Sequence, residues 1–444
     1  MTAEAISSSA VPAPSIWRSA AATIGTRAID IPSRYGFHLL IAWKLGLVDA
    51  GAFYVVFSVL TLAAGLGRLG IDRAMTREVA RALALGHDAQ AQAAIRHGMT
   101  LITLLSLGAG LLLALIAPVL ATSLFDSPRL TTPLIAAAIA IVPLSISGGA
   151  AGALAGLHKV SASQMVYSWL WPALFCLLAV AVPLTLNLAL LLIIAATALG
   201  ALASLVLLVR HRPVARKDRR QMAPPLFKLG LSLFTTEIVQ LLMAALPGLV
   251  LGIFAGAAAV GAYAMAWRLA LILNLLVVSV AAMASPRFAH CAARTDGVGL
   301  RHTAAYSLGL VLALGVLPLI ILAIGAPWWL ALFGEGFATG ATELRLLLLG
   351  QAALMLAATA PELLGMTGHE RAMQLVNVAA TVIYAPVLVV LSYFAGGTGA
   401  ALANLVASLV ASSGALWLVR RLLGFTPPGA LLQLMRARLA VSRA

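Results

Sequence analysis

The chain has 444 residues, of which 62% are apolar and 10% charged, with a mean hydropathy of +1.03. A soluble domain carries about 25% charged and about 45–50% apolar residues, so the composition excludes a water-soluble globular protein. The net charge of +15 does not point to nucleic acid, because the basic residues are scattered between apolar runs instead of sharing one soluble face.

The chain opens on a polar stretch with two prolines, Met1 to Ser15. It lacks the apolar core of a cleavable signal and reads as a disordered cytoplasmic tail over 1–19. Long apolar runs follow, each near the roughly 20 residues that a spanning helix needs. The expected spans are 20–46, 50–70, 98–122, 131–156, 163–184, 187–209, 229–254, 259–284, 303–325, 342–365, 373–395 and 399–419. The alternation and ten-residue length of barrel strands are missing, so the fold class is an all-α polytopic membrane protein of about twelve transmembrane helices.

Topology follows from the basic residues. With the N-terminus in the cytoplasm, 23 of the 29 lysines and arginines fall on that side and three on the other. The three others, Arg27, Arg34 and Arg268, lie within spans. A bias of this size predicts both termini inside. The chain then divides into an N-terminal six-helix bundle (20–209), a basic cytoplasmic linker (210–228), a C-terminal six-helix bundle (229–420) and a basic cytoplasmic tail (421–444). The halves resemble each other: Gly51-Ala52-Phe53 returns as Gly261-Ala262-Tyr263, and Gln164-Met165-Val166 as Gln374-Leu375-Val376, both at an offset of 210. Six helices per half is an even number, so the repeats share one orientation, with their axis along the membrane normal and a central cavity between them.

The charges inside spans bear on function. Arg27, Asp30, Arg34 and His38 are spaced by three, four and four residues and share one helical face. That stripe is either an Arg-Asp-Arg packing ladder or the wall of a hydrated cavity that attracts an anion. In the second half Glu237 and Gln240 share a face, with Arg268 in the following span. Glu237 and Asp30 are candidates for a proton or cation site, or for structural pairs; for Glu237 the expected partners are Arg268 or Arg27. Asn274 fits an interhelical hydrogen bond or a polar cavity wall, as do His38 and Gln240. Arg73, Arg77 and Arg81, at i, i+4 and i+8, belong to an amphipathic stretch at the membrane surface, where they reach lipid phosphates or help to capture a lipid diphosphate. The two cysteines, Cys176 and Cys291, lie in different environments and predict no disulfide or metal site. No phosphate-cradling loop, paired-carboxylate motif or catalytic loop is present, so the chain reads as no enzyme, with no cofactor.

Several segments together resemble a known family. Gly51-Ala52-Phe53-Tyr54, Gly67-Arg68-Leu69-Gly70-Ile71 with Arg77-Glu78-Val79-Ala80, Ser285-Pro286-Arg287-Phe288 and Gly396-Gly397-Thr398-Gly399 are similar to bacterial polysaccharide biosynthesis proteins. These are the oligosaccharide flippases of the multidrug, oligosaccharidyl-lipid and polysaccharide exporter superfamily. The resemblance implies two bundles around a cavity, alternating access, and translocation of polyprenyl-diphosphate-linked oligosaccharide across the inner membrane for cell-surface polysaccharide assembly. It also implies that Arg27, Arg34 and Arg268 hold the diphosphate, with membrane lipids, polysaccharide polymerase and chain-length machinery as partners. An ion-coupled drug or metabolite exporter of the same superfamily is the alternative.

Overall fold

The computed structural model describes residues 16–213 and 225–441, and side chains except those of 16–28, Thr236 and 437–441. The expected N-terminal tail therefore lies outside the described residues up to position 15, and so do residues 214–224 of the basic linker.

The described residues are helical, with no strand among them. The first half comprises α1 (Ile16–Arg68), α2 (Ile71–Ala84), α3 (Asp88–Val119), α4 (Thr131–Gly156), α5 (Val160–Gln164), α6 (Leu170–Ala179) and α7 (Leu186–His211). The second comprises α8 (Leu226–Phe254), α9 (Gly256–Ala293), α10 (Gly297–Ile324), α11 (Ala326–Ala331), α12 (Ala341–Leu356), α13 (Ala360–Met366), α14 (Glu370–Leu423) and α15 (Pro427–Val441). Ten of these stretches are long and apolar enough to cross a membrane. Two of the ten are broken in the middle: α1 at Gly46 (φ 72°, ψ 178°) and α14 at Gly396 (φ 53°, ψ −130°). Each break reverses the chain, so α1 and α14 supply two spans apiece. Twelve spans result, six in each bundle.

Single glycines can make these reversals because they lack the Cβ that excludes positive φ. Position 256, the first residue of α9, is also a positive-φ glycine (φ 77°), 210 residues after Gly46. The repeat is legible again where the bundles meet. A side-chain carbon on Gly51 would collide with the carbonyl of Ala257, and one on Gly261 would collide with that of Leu47. Residues 257 and 261 are the 210-offset counterparts of 47 and 51, so the contact is reciprocal and marks a pseudo-two-fold axis. Close backbone approach through small residues is how helices associate in lipid, where apolar surfaces gain little from leaving the solvent.

The two ends of the molecule differ in charge. The basic end carries α2, whose buried Ile71, Ala74, Met75, Val79 and Ala82 recur at helical spacing. Arg73, Arg77 and Arg81 face outward. The Thr76 hydroxyl donates to the Gly152 carbonyl of α4 at 2.7 Å, fixing α2 under its bundle. At the far end Lys44 donates to the carbonyls of Ala179, Val180 and Val182 at 2.8–2.9 Å, capping the C-terminus of α6. Arg345 likewise donates to the Ala323 carbonyl near the end of α10 at 3.1 Å. Two of the three far-end cations are thereby engaged by helix C-termini, where a positive charge is favoured.

Each expected span falls on helix, but the bounds differ at several ends: α3 begins at Asp88 instead of 98, α9 runs on to Ala293 instead of ending at 284, and α6 stops at Ala179, short of 184. The predicted span 342–365 is interrupted between α12 and α13, where Pro361 starts a new helix. The C-terminal segment forms α15, which packs on α10; Arg301 of α10 lies over Phe425 with its Cζ 5.5 Å from the ring centroid.

Candidate functional site

The first arm of α1 carries its polar face toward a cavity of about 600 Å³ bounded by α1, α5, the following π-helical turn and α9. Asp30, Arg34 and His38 line it from α1; Arg268 and Asn274 line it from α9. The cavity thus joins residues from both bundles. It takes in the charged face of α1, which could not sit in lipid, since each charge at the bilayer centre costs about 2.5–3.5 kcal/mol. Met165–Trp169, which follow Gln164 on this wall, form a π-helical turn, a distortion frequent where a helix serves a site instead of pure packing.

A smaller cavity of about 250 Å³ continues from it, sharing Arg34, His38 and Arg268. Here Arg268 is fixed in place. Its guanidinium lies over the Tyr54 ring, with Cζ 4.1 Å from the centroid, and its Nη1 donates to the Ala264 carbonyl at 2.6 Å. Its buried Nε has no hydrogen-bond partner among the described residues. His38 Nδ1 lies 3.3 Å from the Tyr54 hydroxyl, so Tyr54 ties α1 to the Arg268 side chain. Arg34 is exposed to the cavity. Asp30 has a buried oxygen without a hydrogen-bond partner among the described residues, and no ion pair joins it to Arg34 there. Two described guanidiniums against one carboxylate leave the wall positive, a surface suited to a diphosphate or another compact anion.

Of the residues expected at the site, Asp30, Arg34, His38, Arg268 and Asn274 are brought together. Arg27 lies on the same helix, but its side chain is outside the described residues. Gln240 lines a different cavity, of about 880 Å³, on the side of α8, α12 and α14. Glu237 faces neither cavity and does not pair with Arg268 as expected. It sits at the basic end, where its carboxylate lies 3.5 Å from Arg73 Nε and 4.0 Å from Arg68 Nη2. Arg68 is shared with Asp72 at 3.5 Å. This group links α8 of the second bundle to α1 and α2 of the first, so Arg73 serves an interhelical ion pair. The spacing of Glu237 and Gln240 gives their angle on α8 correctly, but the two stand a turn apart in depth, and only the upper one reaches a cavity.

Tyr54, Tyr35, Gln164 and Trp169 also line or brace the site and are not legible as site residues. Tyr54 directly follows the repeated Gly51-Ala52-Phe53 segment, where an aromatic reads as core. Among the described residues no cluster of His, Cys, Asp and Glu could hold a metal.

The profile of the family described as polysaccharide biosynthesis protein matches residues 17–291. No curated protein sequence matches the chain. Among solved structures the chain is similar to the lipid II flippase MurJ in an inward closed conformation, at 12% identity and a TM-score of 0.71, covering 90% of this chain and 87% of that one. It is similar to an inward-facing multidrug resistance transporter of the MATE family, from the MOP superfamily, at 17% identity and a TM-score of 0.68, covering 90% and 97%. A MOP superfamily transporter from Pyrococcus furiosus matches at 16% identity and a TM-score of 0.58, covering 92% and 96%. At these identities the likeness shows the fold alone, one that the chain shares with transporters of the MOP superfamily.

Proposed function

Because the chain belongs to the polysaccharide biosynthesis protein family, we propose that it is a flippase for polyprenyl-diphosphate-linked oligosaccharide, acting in the inner membrane with its basic end and both termini in the cytoplasm. The observation that carries this reading is the meeting of Arg34 from one bundle and Arg268 from the other on one cavity wall. A diphosphate between them is held by charge-assisted hydrogen bonds from both bundles, while the lipid tail stays in the bilayer. The bundles then rock about this site, exposing it to either side in turn. The reading serves cell-surface polysaccharide assembly, with polymerase and chain-length machinery acting on the delivered repeat unit. It is supported by the excess of guanidinium over carboxylate in the cavity, which disfavours the lipophilic cations that a drug exporter would carry. Arg27, on the same helical face, is proposed as a third ligand.

Asp30 is proposed as the coupling or positioning group, since it lines the same wall with a buried oxygen that has no hydrogen-bond partner among the described residues. The reading is tested by reconstituting the purified protein with a fluorescent polyprenyl-diphosphate sugar. Arg34→Ala and Arg268→Ala should each reduce flipping at least tenfold, with helicity and monodispersity unchanged. Wild-type rates in both would overturn it. A rate indifferent to collapse of proton and sodium gradients would remove Asp30 from a coupling role.

A further inference from the structure

The cavity of about 880 Å³ bounded by α8, α9, α12 and α14 has a chemistry unlike that of the arginine-bearing one. Among largely apolar residues, its neutral polar groups include Gln240, Gln351, Gln374, Asn377, Asn404 and Ser408. Arg371, in the first turn of α14, is the one charged residue on this wall among the described residues. Three of the wall groups are held rigidly in the bundle: Gln351 is 3% exposed, Asn404 4% and Ser408 6%. The buried Gln351 Oε1 has no hydrogen-bond partner among the described residues.

The two cavities are neighbours with shared walls. Leu271 lines both, and Trp267, Met243 and Ala244 line both the amide-rich cavity and the small one beside Arg268. Trp267 and Arg268 are consecutive on α9, so their side chains diverge by about 100° and serve neighbouring chambers. Trp267 is braced by Tyr263, whose ring lies parallel at 6.5 Å.

We infer that the amide-rich cavity is a glycan subsite, receiving the first uncharged sugars beyond the diphosphate held at Arg34 and Arg268. This assignment rests on the flippase reading above. Each amide presents a donor and an acceptor, the pairing that vicinal hydroxyls and N-acetyl groups require. The indole of Trp267 offers a flat surface to the apolar face of a sugar ring. A lipophilic cation would find no carboxylate on this wall, and a uronic acid would find a cation only at Arg371. The volume lies within the roughly 300–1,000 Å³ of small-molecule pockets, which suits a short oligosaccharide. The carrier is thereby selective for repeat units that begin with neutral or N-acetylated sugars.

The test uses the full-length protein in proteoliposomes and three synthetic probes: a polyprenyl diphosphate bearing one N-acetylhexosamine, the same lipid bearing a neutral trisaccharide, and one whose trisaccharide contains a uronic acid next to the first sugar. Gln374 and Asn377 are exposed within the cavity, so a Gln374→Ala/Asn377→Ala variant removes two ligands without opening the packed core. It should flip the neutral trisaccharide lipid about tenfold more slowly than wild type, and the monosaccharide lipid, which places one ring in the subsite, only about threefold more slowly. Wild type should prefer the neutral trisaccharide over the uronic one. Equal losses on both lipids, no loss on either, or equal transport of the two trisaccharides would each overturn the subsite. Failure of wild type to flip any probe would instead overturn the flippase reading.

Discussion

Neutralising Glu237 removes the carboxylate that joins the two bundles at the basic end. Its partners are 3.5 Å and 4.0 Å away. At 3.5 Å a pair of unit charges is worth about 4.7 kcal/mol at an effective dielectric of 20 and about 1.2 kcal/mol in water. The Arg73 side chain is 47% exposed, which places its share near the lower figure. Arg68 is 12% exposed but retains Asp72 at 3.5 Å, so the variant does not strand a buried guanidinium. The net loss for Glu237→Gln is therefore about 1–2 kcal/mol, well short of the 3–5 kcal/mol for breaking an isolated buried pair. Since 1.4 kcal/mol is tenfold, the equilibrium between joined and parted bundles at this end should shift by about 5–30-fold. Spin labels at the exposed positions Leu85 and Lys228, in a background with Cys176 and Cys291 replaced by serine, report the distance between α2 and α8 by pulsed EPR. Glu237→Gln should enrich the longer-distance population. Glu78→Gln, whose carboxylate pairs with Arg81 inside α2, should leave it unchanged. The same distribution in Glu237→Gln as in wild type, or an equal shift from both variants, would refute the reasoning.

Three further outcomes follow from the geometry. Gly51→Val drives a branched side chain into the Ala257 carbonyl; overpacking costs about 1–3 kcal/mol, so flipping should fall at least fivefold, whereas Gly108→Val, which meets open space, should transport normally. Lys44→Met removes three donor contacts from the end of α6, and hydrogen bonds from charged groups are worth about 1.5–3 kcal/mol; the melting temperature in detergent should drop, and by more than for Arg345→Leu, which loses one. Arg268→Lys keeps the charge but loses the planar contact with Tyr54 and the fork that a diphosphate accepts, so it should flip at least fivefold more slowly than wild type, while Arg34→Lys should lose less.

Much of the fold is legible because lipid imposes simple rules. Apolar length sets the spans, the basic residues separate the two ends, and Gly46 marks the first reversal. The charged stripe on α1 is likewise readable, since Asp30, Arg34 and His38 recur on one face and that face must avoid hydrocarbon. Pairing across long sequence distances is not readable. Glu237 finds Arg73, 164 positions earlier, because α8 packs against α2, and helical periodicity carries no information about depth or neighbour. The neutral wall of the larger cavity is hidden for a related reason: Gln351, Gln374, Asn377 and Asn404 sit singly in apolar spans, where an amide is as well suited to an interhelical hydrogen bond as to a ligand. Tyr54 is hidden by its aromatic ring, which the surrounding Phe37, Phe53 and Phe57 make indistinguishable from core.

The reciprocal contact of Gly51 and Gly261 bears on how the chain came to work. Residues that meet their own counterparts on a two-fold axis are the hallmark of an isologous homodimer, and a duplicated half-length ancestor would have assembled through this same pair of glycines. Such a dimer carries identical walls: any charge facing the cavity from one subunit is matched by its copy, and an anion site cannot be placed beside a neutral one without appearing twice. Fusion into one chain lifts that constraint. Asp30 now stands opposite Gln240 in the repeat, Arg34 opposite Ala244, and Arg268 opposite Ser58, so a vestibule that symmetry once held uniform has become polarised across its own midline.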